Sequence, residues 1–168
     1  GVPYGNSREI PFERRFFVGG SNSIRAWTVR ELGPGSSKDT LGNIGLRIYQ
    51  VGDIKLVGNI EYRFDMLYFI DGALFIDAGN IWEIPASWKQ PGVPVNEDAE
   101  FKSTFYREIA IGSGIGFRLD FEFFVFRFDF AWRLRDPLLL NEENENNAWT
   151  FNNFNWTPRL NIGVGYPF

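Results

Sequence analysis

Five segments of the chain alternate between apolar and polar residues, and within each one every charged residue falls on a single parity. They cover residues 55–65, 72–82, 108–120, 124–133 and 159–168. In the first, Leu56, Gly58, Ile60, Tyr62 and Phe64 alternate with Lys55, Asn59, Glu61, Arg63 and Asp65. In the second, Leu74, Ile76, Ala78 and Trp82 share one face and Asp77 lies on the other. The third sets Ile109, Ile111, Ile115, Phe117 and Leu119 against Gly112, Gly114, Gly116 and Arg118. The fourth sets four alternate phenylalanines and Trp132 against Arg127, Asp129, Ala131 and Arg133. The fifth sets Leu160, Ile162, Val164, Tyr166 and Phe168 against Arg159, Asn161, Gly163 and Gly165. A period of two predicts strands, so the chain is expected to be all-β.

Segment length and the character of the polar face separate two kinds of sheet. Strands of soluble proteins run about five or six residues. Segments of about ten residues, at about 3.3 Å each and tilted by about 40°, cover the apolar band of about 25 Å that a membrane barrel presents to lipid. The polar parity is rich in glycine and in opposed charges, Glu61 with Arg63 and Arg127 with Asp129, as a wet, networked barrel interior would be. Connectors alternate in length. Segments one and two are joined near residues 67–71 and segments three and four near 121–123, whereas residues 83–107 and 134–158 form long polar links. The first long link carries Pro85, Pro91, Gly92 and Pro94, and the second an Asn/Glu-rich run over 141–147. Short turns at one end and long loops at the other are the pattern of outer-membrane barrels. Trp82, Trp132, Trp156 and Tyr166 fall at strand ends, where an aromatic girdle is expected. The competing reading is a soluble β-sandwich binding module, which also alternates.

Residues 1–52 lack a clean period and read as a long structured loop, with 53–168 as the strand region; Ile44, Leu46 and Ile48 suggest one short extended piece. The chain begins at Gly1 with no signal or lipidation motif, as expected of a processed product or a piece of a longer protein.

Composition removes several chemistries. There is no cysteine and no histidine, which excludes disulfides, Cys/His zinc sites and His-dependent nucleophile systems. A net charge of −4 without long charged blocks argues against a nucleic-acid partner. Aromatics at 18% are more than a soluble acidic domain of this size readily buries. No apolar run is long enough for a membrane-spanning helix. No enzyme activity, metal or cofactor is expected. Glu61 and Asp77 on neighbouring segments form a carboxylate pair of the kind glycosidases use, but charges on a polar barrel face account for them without chemistry.

The densest local motif is Gly19-Gly20-Ser21-Asn22-Ser23-Ile24-Arg25-Ala26-Trp27. A glycine-rich bend followed by Ile-Arg-Ala-Trp either aims an arginine into a cavity or leaves it solvated at the surface. No strand-turn-helix context supports phosphate binding by the glycines. Phe75-Ile76-Asp77-Ala78-Gly79 puts one carboxylate on the polar face of a mostly apolar strand, a fitting partner for a guanidinium.

Residues 11–27 resemble the conserved loop entering the barrel in the outer-membrane assembly superfamily of BamA, TamA and the two-partner secretion transporters, with Ala26 where the family places glycine. Phe75-Ile-Asp-Ala-Gly79 resembles its Phe-x-Asp-x-Gly strand motif. Asn161, Gly163, Tyr166 and Phe168 resemble the C-terminal signal of outer-membrane barrels. The wording around residues 20–35 is most similar to TamA-like lipoproteins of Bacteroidetes. The resemblance implies the last five of about sixteen antiparallel transmembrane strands plus a long loop folded into the barrel lumen. It implies that Arg25 docks on Asp77 with Glu61 beside it, the bend being set by Gly19 and Gly20. It implies a place in the bacterial outer membrane and work without covalent chemistry: a seam opens and an incoming strand pairs with the exposed edge. Outer-membrane lipid, nascent outer-membrane or secreted proteins, and the remaining barrel strands or other subunits are the implied partners. A passive export channel of the two-partner secretion type is the alternative within the family.

Overall fold

A computed structural model describes residues 1–3, 10–37, 50–89, 96–121, 123–140, 148–150 and 157–165. Five strands account for the periodic segments: β1 (Ile54–Leu67), β2 (Ile70–Trp82), β3 (Ala110–Asp120), β4 (Val125–Arg135) and β5 (Arg159–Val164). They form one antiparallel sheet in chain order. No α-helix occurs among the described residues, only short 3-10 turns such as Phe12–Arg14 and Phe105–Glu108.

The boundaries differ from the sequence expectation at several ends. β1 and β2 extend toward each other until a two-residue turn, Tyr68-Phe69, joins them. β3 starts at Ala110 because Glu108 belongs to a 3-10 turn and Ile109 to its C-cap. β4 continues to Arg135. Tyr166 and Phe168, Trp156, the run over 141–147 and the piece around Ile44, Leu46 and Ile48 lie outside the described residues. Before β1 the described residues contain no strand, only a bridge between Phe16 and Gly52.

The register aligns residues of one kind into rows. One row crosses all five strands as Glu61, Phe75, Gly114, Ala131 and Arg159. Its neighbours run Asn59, Asp77, Gly112, Arg133 and, on the other side, Arg63, Ala73, Gly116, Asp129, Asn161. All three rows lie on one face. The opposite face carries rows such as Tyr62, Leu74, Ile115, Phe130 and Leu160. Ile60, Ile76, Ile115 and Ile162 are exposed there, and Phe126 is half-buried. Thus the apolar parity points away from the protein, and the charged parity points toward it.

The covering material is the segment 15–37. Val18, Ile24, Ala26, Trp27 and Leu32 from this loop pack with Phe75, Ile81, Ala110 and Ala131 of the sheet into the principal core. Trp27 and Ile24 are fully buried. Side chains of this size contribute about 1.5–3 kcal/mol each on burial, so apolar packing alone gives the loop substantial anchoring. The charged face is therefore packed rather than wet: Arg25, Asp77, Arg118 and Asp129 have no exposed surface.

Trp82 departs from the girdle expectation. It has the parity of the open face, yet it is fully buried. Residues 96–108 fold back over it, setting Phe101 and Phe105 edge-on against its ring at 5.4 and 6.0 Å. Its indole N–H donates to Glu108 at 2.6 Å. Parity predicted the face but not the segment that returns to cover it. Trp132 stays half-buried on the open face.

Candidate functional site: an arginine held between two strands

The loop reaches the sheet through a tight bend. Gly19 and Gly20 both have positive φ, 98° and 88°. A Cβ on Gly19 would overlap the Thr28 carbonyl, so only glycine fits where the two arms of the bend meet. The arms are joined by Gly20 N–H to the Trp27 carbonyl at 2.7 Å and Arg30 N–H to the Val18 carbonyl at 3.0 Å. Arg25 lies at the tip, pointed down onto β1 and β2.

The tip is bound by three donors to one carboxylate. Arg25 donates from its backbone N–H and Nε to Asp77 Oδ2 at 3.0 and 2.8 Å, and from Nη2 to Oδ1 at 2.8 Å. Nη1 donates to Glu61 Oε2 at 2.6 Å. The guanidinium carbon sits 3.4 Å from the centre of the Phe75 ring. One planar cation is thus gripped edge-on by two carboxylates and supported from below by an aromatic face, which suits a guanidinium and not an ammonium. Burial opposes the Arg25 charge, but hydrogen bonding and charge from Asp77, then Glu61, outweigh it and hold its pKa above the usual arginine value.

The surrounding groups complete the network. Asn59 donates to Asp77 Oδ1 at 2.8 Å and to the Ser23 carbonyl at 2.7 Å. Arg63 and Arg118 donate to Glu61 Oε1 at 2.7 and 3.2 Å. Arg118 also donates to Asp129 Oδ1 at 2.6 Å, and Arg127 Nε lies 3.0 Å from Asp129 Oδ2. Arg127 further donates to the Ser21 carbonyl and to Asn22 Oδ1, both at 2.9 Å. At the loop's far side Arg133 donates to the Ala26 carbonyl at 3.1 Å and to Glu31 at 2.6 Å.

The structure brings together Gly19, Gly20, Arg25, Asp77 and Glu61, the residues singled out in the sequence. Asn161 and Gly163, expected as part of a C-terminal signal, belong to the same assembly. Asn161 donates to the Arg25 carbonyl at 2.8 Å. A Cβ on Gly163 would come within 3.0 Å of Arg127 Nη2. Tyr166 and Phe168, the other two signal positions, are not among the described residues. Sequence reasoning missed Phe75, Asn59, Arg118 and Asp129 as members. The available signal for Phe75 was an aromatic residue on a charged parity, and for the others the parity they share with Glu61 and Asp77.

The arrangement is structural chemistry rather than catalysis. Glu61 and Asp77 flank a guanidinium instead of an open cleft, and their side chains are 2% and 0% exposed. No substrate bond can reach between them, which removes the geometric basis of a hydrolytic pair. Among the described residues no cluster of acidic side chains is placed to hold a metal ion.

A sheet of long antiparallel strands, apolar on its open face, with a long loop packed on its charged face, defines a portion of a transmembrane β-barrel. The family model of the Omp85 superfamily domain matches residues 1–166, and the chain belongs to that superfamily. Its members are bacterial outer-membrane proteins of insertion and transport.

Proposed function

We propose that this chain is the C-terminal barrel portion of an outer-membrane protein assembly factor, the last five of about sixteen strands, with residues 1–52 folded into the lumen. The loop-covered face is then the lumen wall and the open face meets lipid. What supports the reading is the Arg25–Asp77–Glu61 contact, which pins a long loop against the inner face of a sheet whose two outer strands, β1 and β5, are each paired on one side only among the described residues. Unpaired strand edges are costly in hydrocarbon, so further strands must complete the wall. β5 is the shortest of the described strands, six residues against eleven in β4. A seam that opens at such an edge offers its backbone to an incoming strand.

The role is tested by photocrosslinking. A photoreactive residue at Leu160 or Ile162 on β5 of the full-length protein is expected to capture nascent barrel proteins in cells. Capture of a secreted, non-barrel passenger from lumen positions, with none from β5, would overturn assembly in favour of an export channel.

A further inference from the structure

The geometry points to the two short turns, Tyr68-Phe69 and the one around Phe121–Phe124, as membrane-inserted: they project into the headgroup–acyl boundary of the leaflet at that end rather than into water. The inference rests on the bilayer reading of the open face, and goes beyond it by extending the lipid contact past the ends of the strands.

Both turns lie at the same end of the sheet, since β1–β2 and β3–β4 are hairpins of one antiparallel array. An aromatic girdle ends with the strands that carry it, and turns beyond it ordinarily meet water. Here large aromatic side chains stand exposed at and just beyond the strand ends. Tyr68 is fully exposed and Phe123 is 92% exposed, with Leu67 and Phe69 more than half exposed. Phe121, Phe124 and Phe126 form one aromatic wedge, with ring centres 5.1–6.2 Å apart.

The wedge is continuous with the open face. Phe126 stands in register with Leu119 and Val164 on that face, so among the described residues the apolar surface continues from mid-sheet to the aromatic side chains at the strand ends. The acids at this end, Asp65, Asp71 and Asp120, share the parity of the loop-covered face and so point toward the lumen mouth. Glu122, the charged residue in the second turn, lies outside the described residues. The three aspartates on the inner side and aromatic rings on the outer side match the boundary between water and acyl chains, where Tyr and Phe are favoured. A contiguous apolar surface of this kind in water is otherwise a docking site for protein, which the experiment separates.

The chain contains no cysteine. Tyr68→Cys, Phe123→Cys and Ile60→Cys in the full-length protein, each nitroxide-labelled and reconstituted in phospholipid vesicles, report depth through collisions with oxygen and with a water-soluble nickel chelate. The unsubstituted protein supplies the labelling background. The oxygen-to-nickel ratio at both tips is expected to lie between that of the Ile60 site and that of free nitroxide in buffer. Either tip matching the buffer value while the Ile60 site reads as lipid overturns the inference and leaves the barrel reading standing. Tips shielded from both quenchers also overturn it, in favour of a protein partner. A buffer-like Ile60 site removes the bilayer reading and this inference together.

Discussion

Asn161 on the last strand donates its side-chain amide to the backbone carbonyl of Arg25, 136 positions earlier in the chain, at 2.8 Å. The bond joins the sheet's edge strand to the tip of the loop that β2 grips. Arg25 is held by β1 and β2, Arg127 and Arg133 of β4 reach the loop carbonyls on either side of it, and Asn161 adds β5. The loop therefore spans the sheet from first strand to last, and displacing its tip must disturb the edge that the proposed seam uses.

Asn161→Ala removes that tie without touching the Arg25–Asp77 pair. A single hydrogen bond of this kind contributes about 1 kcal/mol. Amide exchange in β5 is expected to accelerate by about fivefold, while β2 amides stay unchanged. Equal acceleration in both strands would mean that the residue supports the whole sheet rather than its edge.

Arg25→Ala leaves two buried carboxylates without their shared cation. Breaking one side of a buried pair costs about 3–5 kcal/mol, and denaturant unfolding of the barrel in lipid is the measurement. Asp77→Asn is expected to fall in the same direction. The double variant should be less destabilised than the sum of the two, because the groups act as one unit. Arg25→Lys should recover little: an ammonium cannot hold Asp77 at two points, reach Glu61 and lie flat on Phe75 together.

The strands were legible because a period of two persists over ten or more residues and keeps charge on one side. Parity states which way Trp82 points but carries nothing about residues 96–108 folding over it. Arg25 and Asp77 are 52 positions apart, and no spacing rule joins them; the pairing came from motif resemblance, and the residues around it did not. Phe75 shows why. Alone on a charged parity it reads as an irregularity, and only the arriving guanidinium gives the ring a partner. Asn161 was singled out through a resemblance of the C-terminal residues, and its bond to the Arg25 carbonyl is a further contact that no sequence pattern indicated.

Glu31 gives the loop a pH dependence. Burial disfavours its charge, but the Thr28 N–H and hydroxyl and the Arg133 guanidinium outweigh this and bring its pKa to about 2, from 4.5. The carboxyl is more acidic folded than unfolded, so its stabilisation is complete above about pH 4.5 and is lost as the pH falls toward 2. The amount is at most about 3 kcal/mol. Glu31→Gln should lower stability at neutral pH and flatten the acid dependence in that window. Parallel curves for the two proteins between pH 5 and 2 would show that other carboxyls account for acid sensitivity.

Gly112 of β3 lies directly against the loop at Ala26. A Cβ at this position would stand 2.7 Å from the Ala26 Cβ, with Trp27 and the Trp132 carbonyl next nearest at 3.4 Å. One methyl group on the loop is therefore the main obstacle to one on the strand. Gly112→Ala is expected to push the loop tip off the sheet, costing about 1–3 kcal/mol as overpacking does. Ala26→Gly removes the opposing methyl and places glycine where the family motif carries it. The double variant Gly112→Ala/Ala26→Gly should then recover most of the loss, because the remaining neighbours lie near ordinary contact distance. Thermal unfolding of the three variants in lipid gives the coupling directly. Additive losses with no recovery would mean that Gly112 is needed for the strand's own backbone and not to seat the loop.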